Sequence, residues 1–230
     1  MLVLVRHGET EANAAGVLLG RAESDLTARG YRQAQAIAAA LAGDVPGCPP
    51  AAPLIAGDPP GHRPIPVGPC QVVRVVSSPL GRARQTAAVV AEACGVDQVE
   101  IDERWVELDY GDLDGAALDQ VPAATWDRWR RDPDFVPAGG ESLSALGRRV
   151  SAALVELAGE HGGTLRSPEH VVVVSHVSPT KAAVAWTLGV PDGVAWRLWL
   201  APGSATVVGW SGTGPSLRAF NLRLGLPLPY

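Results

Sequence analysis

Lysine is almost missing from this chain: of its 19 basic side chains, Lys181 is the one lysine and all others are arginine. Arginine is therefore the default cation, and each arginine has to be judged by position. Excess positive charge is missing too. The net charge of −5 speaks against general nucleic-acid binding, which needs a basic face. The three cysteines, Cys48, Cys70 and Cys94, include no CxxC pair, which speaks against a disulfide framework or zinc cluster. A Cys48–Cys70 bridge stays open, although a reduced, cytoplasmic setting fits better. No apolar run approaches the roughly 18 residues of a membrane-spanning helix. The first residues enter a strand without the basic start and cleavage site of a signal peptide, so a cytoplasmic protein with no membrane contact is expected. What remains is 230 residues, 47% hydrophobic and 19% charged, a composition that fits one globular domain with a full core.

The chain is organised around LVLVRHGETEAN, Leu2 to Asn13. Four apolar residues rich in β-branching read as a buried strand, and the character then switches to Arg6, His7 and Gly8. In an open α/β sheet, ligands bind beyond the carboxyl ends of the strands, and Gly8 permits a sharp turn with close backbone approach. Downstream, a loop runs to Asp25. Thr27 then caps a helix over 28–41 that Gly43 closes. Nine of the twenty prolines lie between Pro46 and Pro69; residues 44–70 thus read as a surface insertion in a single domain spanning 1–230, placed at the sheet edge away from His7. Val72–Val76 is a second strand, followed by a helix that Ser78 caps and Pro79 opens, ending before Gly95. A third strand is expected over 99–101, a loop over 105–115 and a short helix over 126–131. A turn at 137–142 opens a long amphipathic helix to Glu160, with Leu143, Leu146, Val150, Leu154 and Leu157 on one face. Val171–Val174 is a further buried strand, Pro179 opens a helix to Leu188, and 195–200, 204–210 and 216–221 read as final strands or hairpin elements.

Three strand-to-helix junctions carry polar residues at equivalent places: Arg6-His7, Arg82, and His176 after the strand 171–174. In a mostly parallel sheet these ends share one edge. Two arginines, two histidines and nearby helix N-termini would form a pocket for a dense anion, best matched by phosphate. The pattern resembles the histidine phosphatase superfamily, which includes cofactor-dependent phosphoglycerate mutases and many acid phosphatases. The matching pieces are RHGET with Asn13, Gly20 and Leu26-Thr27 ahead of Gly30, SSPLGRARQTA at 77–87, and Glu107 with Tyr110-Gly111 and Gly115. GGES at 139–142 and VVVVSH at 171–176 complete the set. The resemblance covers nearly the whole chain in order, apart from 44–70. One departure is Val177, where the family often has glycine after the second histidine; a backbone N–H is expected there in either case.

The resemblance implies a three-layer α/β/α sandwich with a mostly parallel sheet, and roles for single residues. His7 would be the nucleophile, forming a phosphohistidine. Arg6 and Arg82 would grip phosphoryl oxygens, and His176 would be protonated against them when phosphate is bound. Asn13 would donate to the phosphoryl group, with Gly20, Arg21 and Val177 also lining the phosphate site. Glu107 would protonate the leaving alkoxide and then help deprotonate water. No cofactor and no metal is expected, and the expected partner is a small phosphorylated metabolite, with homodimerisation left open. Taken singly, Arg82 reads better as a solvated helix-start residue, and Glu107 reads equally as part of an acidic loop. His62, His161 and His170 read as surface residues. Trp126, Trp129, Arg130 and Arg131 are placed on a lid facing Arg21. The preferred reading is a phosphomonoesterase. A phosphoglycerate-type mutase is the second, but the mutases carry a longer insertion than the short stretch from Gly115 to Gly139, and WDRWRRDPDF resembles the phosphatase branch. A non-catalytic phospho-ligand module is the third, opposed by the full set of His7, Arg82, Glu107 and His176.

Overall fold

A computed structural model describes residues 1–43, 71–160, 169–211 and 214–223. Its centre is a six-stranded sheet in the order β3-β2-β4-β1-β5-β6, built from β1 (Leu2–Arg6), β2 (Gln71–Ser77), β3 (Val99–Ile101), β4 (Glu169–Ser175), β5 (Ala205–Ser211) and β6 (Gly214–Leu222). β3, β2, β4 and β1 pair in parallel, and β5 runs against both β1 and β6. The uninterrupted apolar runs of β1 and β4 follow from this position, because a central parallel strand is covered on both faces.

Alternation along the strands divides the core in two. Leu2, Leu4, Val76, Val171 and Val173 face α5 (Leu143–Glu160) and α6 (Val177–Leu188). Val3, Val5, Val75, Val172 and Val174 face α2 (Ala28–Ala42) and α3 (Gly81–Cys94). The expected three-layer α/β/α sandwich is therefore observed. All five residues of the expected apolar stripe on α5 are buried. Thr27 caps α2 by accepting the Gly30 N–H at 3.0 Å, and Gly43 ends it at a φ of +80°. The insertion 44–70, with Cys48 and Cys70, lies outside the described residues, as do His62 and His161; the Gln71 that follows it opens β2 at the amino edge of the parallel strands.

Several elements differ from expectation. The loop after Asn13 is preceded by a short helix α1 (Glu11–Ala14), formed because Thr10 and Asn13 make a reciprocal capping box. Ser78 does not cap α3: its hydroxyl is taken by His176 (2.7 Å), and the helix starts later, at Gly81, whose N–H is capped by Glu23 from another loop (2.9 Å). α6 begins at Val177, two residues before Pro179. The expected strand 195–200 is instead a 3₁₀ helix, Asp192–Arg197, which delivers Trp196 to an aromatic cluster with Trp126 and Trp129. That cluster also overturns the lid reading of Trp129, which is 1% exposed on α4 (Ala123–Arg131) and packs edge-on against Tyr110. His170 is buried, because strand alternation puts it on the same face as Val172 and Val174.

α2 docks through bare backbone. A methyl group at Gly30 would collide with the Glu9 carbonyl, and one at Gly8 would collide with Gly30. Gly30→Ala should therefore lower stability by about 2 kcal/mol or more by overpacking. Gly159→Ala, at a helix position open to solvent, should raise it by about 0.5–1 kcal/mol. Denaturant midpoints of the two variants will read both, and a neutral Gly30→Ala would refute the docking geometry.

Candidate active site

The carboxyl end of β1 hands Arg6 and His7 to the middle of the sheet edge. His7 Nδ1 lies 2.6 Å from the Gly8 carbonyl oxygen. A carbonyl can only accept, so Nδ1 carries the hydrogen and Nε2 keeps its lone pair. Thr86, one turn into α3 from Arg82, fixes this turn by accepting the Gly8 N–H at 3.2 Å and donating to the Arg82 carbonyl at 2.9 Å. His176, at the end of β4, stands opposite, with ring centroids 5.1 Å apart; its Nε2 is paired with Ser78 Oγ.

Both guanidinium groups are held by carbonyl oxygens rather than by carboxylates. Arg6 donates to Leu200 at 2.6 Å. Arg82, only 1% exposed, donates to Gly20 at 2.6 Å and Ala22 at 2.8 Å. Those two carbonyls are themselves positioned by Asp114, whose carboxylate accepts the N–H groups of Gly20, Arg21 and Ala22 at 2.7–2.9 Å. Arg6 Nε, Arg82 Nε and His176 Nδ1 are buried with no hydrogen-bond partner. Buried polar atoms are rarely left so, and orphaned groups on two cations and an imidazole suit an anion.

Glu107 closes the group from the loop after β3. Its carboxylate accepts the N–H of Leu108 (2.7 Å), Val177 (3.1 Å) and Ser178 (3.2 Å), so it caps the start of α6. The Val177 N–H is thus engaged by Glu107. Arg149, paired with Glu141 of the GGES turn at 2.8 Å, holds the Glu107 carbonyl at 3.2 Å. Of the residues expected at the site, Arg6, His7, Arg82, Glu107, His176 and Val177 are brought together. Gly20 contributes a carbonyl to Arg82. Asn13 is tied by its side-chain oxygen to the Thr10 N–H (3.3 Å), which leaves its amide N–H₂ to donate. Arg21 is 44% exposed at its side chain and pairs loosely with Asp109 and Glu141 (3.4 and 3.5 Å). Ser78, Thr86, Asp114, Glu23 and Arg149 were not anticipated as supports of the site. The hydroxyl four residues after Arg82 was the one local signal; the others act across long stretches of chain.

Burial sets the charge state. Desolvation, and then the Arg6 and Arg82 charges, hold the His7 imidazole well below its ordinary pKa; His176 is lowered the same way, by burial, then Arg82, His7 and Arg6. Arg6 itself is pushed down to about 10 by burial, against the pull of Glu107. Tyr110 is pushed up by burial and by Glu107. The site therefore holds two neutral imidazoles between two guanidinium cations.

Paired imidazoles and guanidiniums at the carboxyl edge of a parallel sheet define a class of α/β proteins that handle anions. The chain belongs to the histidine phosphatase superfamily, branch 1, whose profile matches residues 2–49 and 67–223 and so skips most of the proline-rich insertion. A Citrobacter koseri protein named Probable phosphoglycerate mutase GpmB is 32% identical over 221 residues, 87% of each chain. Among solved structures, a mycobacterial glucosyl-3-phosphoglycerate phosphatase in complex with VO3 superposes with a TM-score of 0.74 at 27% identity, covering 96% of this chain and 98% of its own. The α-ribazole phosphatase of Shigella flexneri gives 0.72 at 26% identity, covering 99% of both. The protein is accordingly an enzyme of the histidine phosphatase family. Among the described residues, no helix is long and apolar enough to cross a membrane.

The lowered imidazoles make stability depend on pH. Below the ordinary histidine value of 6.5, the unfolded chain takes up protons that buried His7 and His176 refuse, so more protons are bound in the unfolded state. Unfolding free energy should fall toward acid by up to about 1.4 kcal/mol per pH unit for each imidazole. Denaturant titrations between pH 7.5 and 5 should show a shallower fall in a His7→Asn, His176→Asn double variant. Equal slopes would mean that the two rings are protonated in the folded protein.

Proposed function

We propose that this protein is a metal-independent phosphomonoesterase that acts on a small phosphorylated metabolite through a phosphohistidine on His7. The observation that carries this reading is the fixed tautomer of His7, whose ring stands 5.1 Å from that of His176 and under the charges of Arg6 and Arg82. In the first step Nε2 attacks phosphorus, the phosphorus–oxygen ester bond breaks, and the leaving alkoxide takes a proton from Glu107. In the second step Glu107 accepts a proton from water, the water oxygen attacks phosphorus, and the phosphorus–nitrogen bond breaks to release inorganic phosphate. The unpaired N–H groups of Arg6 and Arg82 meet the equatorial oxygens bidentately. Arrival of a phosphate dianion raises the proton affinity of His176, which then carries positive charge against the transition state. The Asn13 amide donates to the phosphoryl group, and the loop at Gly20 and Arg21, with Val177, borders it. The expected site needs no metal, because fixed cations take the role a metal ion would have.

The solved relatives named as phosphatases of glucosyl-3-phosphoglycerate and α-ribazole phosphate favour hydrolysis of an ester with a substantial alcohol portion. The relative named a phosphoglycerate mutase favours a second reading, in which the phosphohistidine returns its phosphoryl group to a bound acid instead of water. Assays of phosphate release and of mutase turnover, each with and without a bisphosphoglycerate, separate the two. Activity should survive EDTA.

His7→Ala should abolish turnover, and brief exposure of wild type to labelled substrate should leave acid-labile, base-stable label on His7. Label that resists acid, or that sits elsewhere, defeats the mechanism. Glu107→Gln should slow alkyl phosphates far more than aryl phosphates, since an aryl oxide leaves without a proton. Any shared loss from disturbing the α6 cap cancels in that ratio. Equal loss on both would reduce Glu107 to a positioning residue.

A further inference from the structure

The single lysine of the chain stands beside this site, with no hydrogen-bond or ion-pair partner among the described residues. Lys181 lies on α6 one turn after Val177, on the same stripe of the helix as Val177 and Leu188, the less buried stripe of an otherwise buried helix. Helical side chains lean toward the N-terminus, which tilts the Lys181 stem back over the first turn, where Val177 and Ser178 hold Glu107. Glu107 and Arg6 are the charged groups that act on it, while burial lowers the proton affinity of the ammonium. It nonetheless forms no hydrogen bond or ion pair with any described residue. Every other cation at the site is anchored: Arg6 to Leu200, Arg82 to Gly20 and Ala22, Arg149 to Glu141, and Arg21 to Asp109 and Glu141. A partly buried ammonium has three donors to satisfy.

Its place relative to the chemistry says what would satisfy it. If Glu107 protonates the leaving oxygen, as proposed above and on which this inference rests, the alcohol portion of the substrate lies on the Glu107 side of phosphorus. Lys181 stands one turn into the helix that Glu107 caps, which places it toward that side. We propose that Lys181 is a specificity-determining residue that binds a carboxylate on the alcohol portion of the substrate. One ammonium balances one negative charge, which suits a carboxylate better than a second phosphate dianion. The phosphoryl group itself is already matched by Arg6, Arg82 and the two imidazoles. The substrate class is then a phosphomonoester of a hydroxy acid rather than of a neutral alcohol.

Two ligands that differ at one carbon test this: 3-phosphoglycerate, which carries a carboxylate, and glycerol 3-phosphate, which carries a hydroxymethyl group there. Calorimetric binding is measured in a His7→Ala background, so it does not depend on turnover. Lys181→Met, which keeps the stem, should weaken 3-phosphoglycerate by about tenfold relative to glycerol 3-phosphate, the effect of losing one charge-assisted hydrogen bond. Lys181→Arg should retain the preference. Equal weakening of both ligands, no weakening of either, or no preference in the protein with Lys181 intact would overturn the assignment. Phosphate release by the protein with His7 restored reads the phosphatase proposal separately, so the failure of one is not mistaken for failure of the other.

Discussion

Two guanidinium groups share a desolvated corner of this protein with two imidazoles and a single carboxylate. Like charges so placed repel, and water is not there to screen them. The protein answers in two ways. Carbonyl oxygens of Leu200, Gly20 and Ala22 take up guanidinium N–H groups without cancelling their charge, and the imidazoles stay unprotonated. A surplus of positive charge survives, matched to a dianion, and the unpaired donors of Arg6 and Arg82 are the remainder left for it.

Most of the surrounding architecture serves to hold that arrangement. Asp114 shapes the loop that offers carbonyls to Arg82, Glu23 starts the helix that carries Arg82, and Arg149 fixes the backbone of Glu107. The reversed strand β5 begins at the site edge, so the segment before it brings Leu200 to Arg6 and the Gly203 N–H to the His7 carbonyl at 2.9 Å. Asp114 and Glu23 orient backbone around the site and do not pair with Arg6 or Arg82. A carboxylate placed on either guanidinium would occupy the very donors an anionic substrate needs.

The parts of this design that were legible in the sequence are those written in contiguous residues. The strands at Leu2, Val72 and Val171 announce themselves by unbroken β-branched runs, α5 by its spacing of three and four, and α2 by Thr27 and Gly43. Arg6, His7, Arg82 and His176 were legible because each follows a strand at the edge where ligands bind. Glu107 was found through family resemblance, and its cap on α6 was not foreseen. Asp114 serves Gly20 from 94 residues away, and Ser78 serves His176 from 98; no periodicity records such pairs. Ser78 shows the cost: before a proline it reads as a helix cap, but a distant imidazole claims its hydroxyl. Trp129 and Trp196 misled for a related reason, since a polar, basic helix and a short apolar run both turned out to serve one buried aromatic cluster.

The order of strands across the sheet has a consequence for how the molecule is made. β1 is synthesised well before β4 and β5, yet it is sandwiched between them. At ribosomal speeds of 5–20 residues per second, its apolar run waits about 10–40 s for either neighbour. During that interval the nascent chain carries an unpaired hydrophobic strand, a target for chaperones and for other nascent chains on the same polysome. Arg6 and His7 stay in water throughout, so the electrostatic strain of the finished pocket is imposed only after β4 and β5 have been made, when enough of the core exists to bear it.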